Sequence, residues 1–259
     1  MGRFDESLKA LYMAVQLEPE NEDIWLSKGY AESNIGDFEE AIKSFDRALE
    51  LDPDNAYALS EKGWALYESG SDEEAIKAFD DLIIIDPDNP ITHAGIAAAQ
   101  LWIENFDKAL ISSEASLEKD SGYAFAWLIK GGALLGLERD GEALTSFDEA
   151  IKSDPEDPYA LTSKAAALSN LGRSIEALQA FDEALTLDPA YSFGWLGKGI
   201  ILRKINRDQE ALVAFDKVSD EDSELWLVAQ KTKGNLLEKM GRLSEAREAF
   251  AIAESINVE

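Results

Sequence analysis

The sequence predicts an all-α solenoid, a row of stacked helix–turn–helix repeats, and three observations carry that prediction. The first is a period. Trp25, Trp127 and Trp195 open copies of one pattern, and Ala41, Ala75, Ala109, Ala143, Ala177 and Ala211 recur every 34 residues. Self-similarity at this period marks units that cannot bury their apolar faces alone and so stack on their neighbours. The second is the spacing within a copy. Trp25, Lys28, Gly29 and Glu32, and then Ala41, Phe45 and Ala48, fall at helical intervals rather than at the two-residue alternation of a strand. The third is punctuation. Gly36 separates the two helical runs, Pro53 stops the second, and Asp54 or Asn55 can cap the next.

Each element follows from this pattern. A half repeat occupies residues 1–21, and whole units occupy 22–55, 56–89, 90–123, 124–157, 158–191, 192–226 and 227–259, as one array. Helices of about 13 residues are marginal alone in water, so stacking must stabilise them. Gly29 and Ala41 keep the crossing of the two helices close, and Phe45 fills the space between one repeat and the next. The turn position holds Gly2, Gly36, Gly70, Gly172 and Gly241, with Asn206 as the next best residue. Glu104 and Glu138 occupy it in two copies, where the turns are expected to be built differently. An extra residue near Asp220–Trp226 predicts an irregular turn. Unit 90–123 is the most degenerate, with His93, Ser113, Ser116 and Ser121 at the Trp, Phe, Ala and Pro positions.

Internal units carry an apolar stripe on the second helix, as in Ile42 with Leu49 and Leu178 with Leu185, which faces the next repeat. Arg247 and Glu254 replace it in the last unit, the expected signature of a cap. Phe4, Leu11 and Ala14 lack the helix they would pack on. That predicts either a fragment of a longer array or a face covered by another molecule, including a second copy joined through residues 1–21.

These residues resemble the tetratricopeptide repeat (TPR) family, whose 34-residue pattern has a Trp or Leu, a small residue, a turn Gly, an Ala, an aromatic, an Ala and a Pro at fixed places. The resemblance covers essentially the whole chain. It implies a right-handed superhelix whose first helices line a concave groove, and a non-enzymatic scaffold that binds a peptide or helix of a partner protein. Some family members grip acidic chaperone tails with a clamp of Lys, Asn and Arg. The corresponding positions here are Leu26, Tyr30, Glu61, Ile91 and Gly95, so the clamp is absent.

The groove positions the resemblance marks are unusually apolar. Two residues before each Trp position stand Asp23, Tyr57, Ile91, Phe125, Tyr159, Phe193 and Val228. Five residues after it stand Tyr30, Trp64, Ala98, Gly132, Ala166, Ile200 and Asn235, with Trp102 further along the third unit. Such a stripe either packs between helices or anchors a partner segment. Arg203, Lys204, Lys231 and Lys239 gather on the last two units against a single acid, Glu238, and suit a carboxylate on a mostly apolar ligand. The expected partner-binding groove is therefore Tyr30, Tyr57, Trp64, Trp102, Phe125, Tyr159, Phe193, Arg203, Lys204, Lys231 and Lys239.

Composition narrows the function classes. Of 259 residues, 24 are basic and 52 acidic, a net charge of −28 that would repel a phosphate backbone and disfavours nucleic acid. No apolar run suits a membrane span and there is no signal-peptide core, so a cytoplasmic location is expected. There is no cysteine, and the one histidine, His93, builds no triad or metal site. Asp-Pro-Asp segments lack the Gly and Glu of a calcium loop, and Gly194–Gly199 lacks the strand-then-helix context of a nucleotide loop. No cofactor, metal or catalytic group is expected.

Overall fold

The computed structural model describes residues 2–219 and 223–256, with side chains for 7–219 and 224–254. Among them there are only α-helices and turns. They are α1 (Gly2–Leu17), α2 (Glu22–Asn34), α3 (Phe38–Leu51), α4 (Ala56–Glu68), α5 (Asp72–Ile85), α6 (Pro90–Trp102), α7 (Phe106–Lys119) and α8 (Ala124–Gly136). There follow α9 (Asp140–Ser153), α10 (Pro158–Asn170), α11 (Ser174–Leu187), α12 (Ser192–Lys204), α13 (Asp208–Phe215), α14 (Ser223–Lys239) and α15 (Leu243–Ile256). Two compact units divide the chain, Met1–Leu137 and Glu138–Glu259. In the first, α2–α3, α4–α5 and α6–α7 form helix hairpins, with α4 beside α6 and α6 beside α8. In the second, α10–α11, α12–α13 and α14–α15 do so, with α10 beside α12 and α12 beside α14.

The turn between hairpin helices has one geometry, and it overturns one sequence expectation. Gly36, Gly70, Gly172 and Gly241 have φ between 75° and 81°, but Glu104, Glu138 and Asn206 are left-handed too, at 57°, 58° and 60°. The Glu104 turn makes the bonds of a glycine turn. Asn105 N–H donates to Gln100 C=O at 2.8 Å and Glu104 N–H to Leu101 C=O at 3.0 Å, as Ser71 does to Leu66 and Gly70 to Tyr67. Capping the orphan carbonyls of the helix end outweighs the steric cost of the glutamate Cβ. Gly2, by contrast, lies inside α1 rather than at a turn.

Between the helices the small residues face aromatic rings. A Cβ built on Gly29 would stand 2.6 Å from Phe45, and ones on Gly63 and on Gly95 each 2.5 Å from Phe79. The Phe79 ring therefore sits between glycines of its own hairpin and of the next, and Phe45 and Phe79 are wholly buried. Ile42 joins successive core clusters, as its stripe position predicts. In the degenerate third unit, buried Ser113 and Ser116 donate to the carbonyls of Leu110 and Pro90. The tryptophans add a clasp: Trp25, Trp127 and Trp195 Nε1 donate to the carbonyls of Pro19, Ser121 and Pro189, six residues back, at 2.8–2.9 Å. His93 reproduces it, with Nε2 3.3 Å from Pro87 O.

An ionic ladder, which the sequence pattern did not predict, ties hairpins together. Lys62 pairs with Asp46 at 2.6 Å, Lys130 with Glu114 at 2.9 Å and Lys164 with Asp148 at 2.7 Å. Lys198 pairs with Asp182 and Lys233 with Asp216 in the same way. Two positions break it. Ile96 stands where a Lys would meet Asp80, whose carboxyl lost hydration and the neighbouring Asp81 push upward. Tyr12 stands where an acid would meet Lys28, so the counter-charge comes from Glu32. Lys28 Nζ donates to Glu32 at 2.6 Å and to Ser44 at 2.8 Å, Ser44 donates to Glu32 at 2.6 Å, and the Tyr12 hydroxyl donates to Glu32 at 3.1 Å. This buried network fastens α1 and α3 to α2, and each charge in it is compensated.

The irregular turn expected at 220–226 falls partly on residues 220–222, outside the described residues. Before it, α13 ends at Phe215 after 8 residues, whereas α11 runs for 14. At the chain's two ends, Arg247 and Glu254 are exposed. On α1, Leu11 and Ala14 are half-buried and Val15 buried; Phe4 lies outside the described side chains.

Candidate binding face

In the first unit the candidate residues separate into two kinds. Tyr30 on α2 and Tyr57 on α4 are 49% and 51% exposed, as is Ile91 on α6 at 42%. The two tyrosines line an open cleft of 840 Å³ whose floor is Leu11, Leu26 and Ala31 and whose rim includes Asp23 and Ser27. Their hydroxyls and ring faces are available while their neighbours carry the fold. Glu61, one turn after Tyr57, is half-buried, and burial pushes its carboxyl above the usual glutamate range.

Trp64 and Phe125 are placed otherwise. Their ring centroids lie 5.7 Å apart at 65°, an edge-to-face contact from α4 to α8 that spans α6. Trp64 also meets Tyr67 at 5.8 Å and Phe79 at 5.5 Å. The small residues of α6, with Ala97 and Ala98 buried beneath, make this reach possible. The space that Ala98 leaves is thus filled by rings of the chain itself. Trp102, at the C-terminal end of α6, faces outward and is 67% exposed beside Tyr67, Glu68, Gly70 and Asp72. Asp72 was not singled out in the sequence; only its place one helix-turn from Trp102's cleft marks it.

In the second unit Tyr159 on α10 and Phe193 on α12 are 52% and 45% exposed. Phe193 leans on Tyr191 with centroids 6.2 Å apart. Ile200 and Val228 are also exposed, so α10, α12 and α14 present apolar groups on successive helices. The cations differ in freedom. Lys204 Nζ is held by Ser169, at 2.9 Å from its carbonyl and 3.2 Å from its Oγ, and Lys239 lies 3.6 Å from Asp208. Arg203 is half-buried and Lys231 exposed, and neither has an ion-pair partner among the described residues.

Hairpins of near-constant length, left-handed turns at a fixed register and exposed aromatics on the first helices define a helical-repeat binding scaffold. A tetratricopeptide repeat profile matches residues 26–90 and 103–158, and a second tetratricopeptide repeat profile matches 146–179. The chain belongs to the tetratricopeptide repeat family, as its sequence resemblance implied. A tetratricopeptide repeat protein from Parabacteroides merdae superposes with a TM-score of 0.70 at 18% identity, over 91% of this chain and 93% of that one. Yeast Tom70 superposes with a TM-score of 0.70 at 18% identity, over 98% of this chain and 59% of its own. YrrB, described as a TPR protein with an unusual peptide-binding site, gives 0.53 at 20% identity, over 72% and 96%. These likenesses establish the fold. No curated protein matches the sequence. Among the described residues no helix is long and apolar enough to cross a membrane.

Proposed function

We propose that the chain is a non-enzymatic protein-interaction scaffold whose first-helix face binds an extended or helical segment of a partner protein. The observation that carries this reading is the group Tyr30, Tyr57, Tyr159 and Phe193. Each is about half exposed, each recurs at one repeat position, and none is needed to fill the core. Rings with one face packed and one face open are favoured anchors at interfaces, because they bury much area at little entropic cost. The peptide-binding description of YrrB agrees with it. Arg203 and Lys231 suit a carboxylate on the segment that lies along the second unit.

Within this reading the repeat boundaries are those of the sequence pattern, and the binding positions are Tyr30, Tyr57, Tyr159, Phe193, Arg203 and Lys231, with Trp102 at one edge. Trp64 and Phe125 support the face from below. Selection of displayed peptides tests the reading: the native chain enriches a related set of segments, and the Tyr30→Ser, Tyr57→Ser chain loses it. Equal enrichment by the variant overturns the proposal. A second reading, self-association through α1, is favoured by the exposed Met13 and Leu17. It requires a dimer in light scattering that Met13→Glu with Leu17→Glu dissolves, and a monomer at every concentration refutes it.

A further inference from the structure

One juxtaposition recurs along the chain. The first residue of a second helix meets the last residue of the next first helix, some 30 residues on. Phe106 lies so close to Gly136 that a Cβ there would collide with its ring. Asp140 Oδ1 accepts a hydrogen bond from Asn170 Nδ2 at 2.8 Å. Asp208 Oδ2 faces Lys239 Nζ at 3.6 Å. Where the acid is present, the chain supplies an N–H donor opposite it.

The equivalent pair on α5 and α6 is Asp72 and Trp102. Here the acid is present and the donor is not. Trp102 turns its indole outward instead, and Asp72 Oδ1 is buried and accepts no hydrogen bond. Asp208 Oδ1 shares that condition, but its partner oxygen has Lys239. Burial raises the Asp72 carboxyl, with no opposing cation nearby. Asp72, Glu68, Tyr67, Gly70 and Trp102 line one open cleft of 410 Å³. Its chemistry is an exposed aromatic face beside two carboxylates, and the chain's own repeats show what belongs opposite such an aspartate.

The geometry points to a docking site for an arginine side chain of a bound protein segment, stacked on Trp102 and hydrogen-bonded to Asp72 and Glu68. A guanidinium fits better than a point charge, because it stacks on indole and offers a planar fork to carboxylates. This inference rests on the first-helix face being a protein-binding surface, and adds the chemistry of one contact on it.

The test uses the whole chain with ¹⁵N-labelled indoles. Its six tryptophans are followed by their Nε1 signals, and Trp102→Phe assigns one of them. Argininamide is titrated at constant ionic strength, with citrullinamide as the neutral isostere. The Trp102 signal is expected to move saturably with argininamide and not with citrullinamide. Asp72→Asn is expected to weaken the response about tenfold, the usual worth of one charge-assisted contact. Asp140→Asn should leave it unchanged. Trp102→Lys, which restores the repeat's own pairing, should abolish argininamide binding in calorimetry and raise the melting temperature. No saturable shift, an equal response to citrullinamide, a full response in Asp72→Asn, or uniform movement of all six signals overturns the inference. Those results leave the broader reading standing if the Tyr30→Ser, Tyr57→Ser chain still loses its selected peptides. Failure of the peptide selection alone removes the broader reading instead.

Discussion

Replacing Glu104 by glycine should stabilise a chain whose sequence places a charged residue at a sharp turn. Glu104 holds φ at 57°, and its turn makes the same two backbone bonds as the Gly70 turn. A left-handed backbone costs an L-residue roughly 1–2 kcal/mol, from the clash of Cβ with the following carbonyl. Glycine avoids that cost but loses about 0.5–1 kcal/mol more chain entropy on folding. The glutamate side chain is exposed and makes no ion pair that glycine would forfeit. The net gain is about 0.5–1 kcal/mol, which raises the melting temperature by about 1–4 °C in a domain of this size. Thermal and urea denaturation of Glu104→Gly beside Glu104→Ala measure it. Alanine keeps the Cβ and should change little. A loss near 1 kcal/mol for glycine, as in the middle of an exposed helix, would show that the residue is not left-handed and that the turn is built another way.

Gly95→Ala should destabilise, because its Cβ would lie 2.5 Å from a Phe79 ring that Gly63 already pins from the other side. Overpacking of that kind costs about 1–3 kcal/mol, partly offset by about 1 kcal/mol of helix propensity. Phe79→Leu in the same chain should relieve the clash, so a double-mutant cycle in urea denaturation should show a positive coupling, and simple additivity would refute the contact. Glu61→Gln should raise the melting temperature at pH 7. Burial lifts the Glu61 carboxyl above its unfolded value of about 4.3, so the folded state binds the proton more tightly. The charged form therefore costs stability at neutral pH, and the cost disappears as pH falls through the folded value. Melting curves of the two chains should converge on acidification; a constant offset would mean that Glu61 is fully hydrated in the folded state.

The helices were legible because each repeat states its own plan. The period placed Ala41 and Phe45 in the core, Asn55 as the cap of α4, and Gly36 at a left-handed turn. Glu104 was misread because residue identity weighs single-residue preference, whereas the turn is fixed by helix-end carbonyls that must be capped. The ladder went unseen although its signal was present: an acid stands 16 residues before Lys62, Lys130, Lys164 and Lys198. That spacing means contact only once the previous second helix is known to lie against the next first helix. The Trp64–Phe125 contact was least legible. It joins residues 61 apart across an intervening helix, and the same small residues that suggested an open groove let the rings close over it.

The most direct test of the account sets two double variants side by side in thermal denaturation and in binding of the selected peptides. The account holds that Tyr30 and Tyr57 serve binding while Trp64 and Phe125 serve the fold. Trp64→Ser with Phe125→Ser removes partly buried rings that meet each other, so it should cost several kcal/mol and lower the melting temperature by on the order of 10 °C. Tyr30→Ser with Tyr57→Ser should leave the melting temperature nearly unchanged and abolish peptide binding. The opposite pattern, in which the tyrosine pair unfolds the chain or the serine pair at Trp64 and Phe125 leaves its stability intact, would contradict the account.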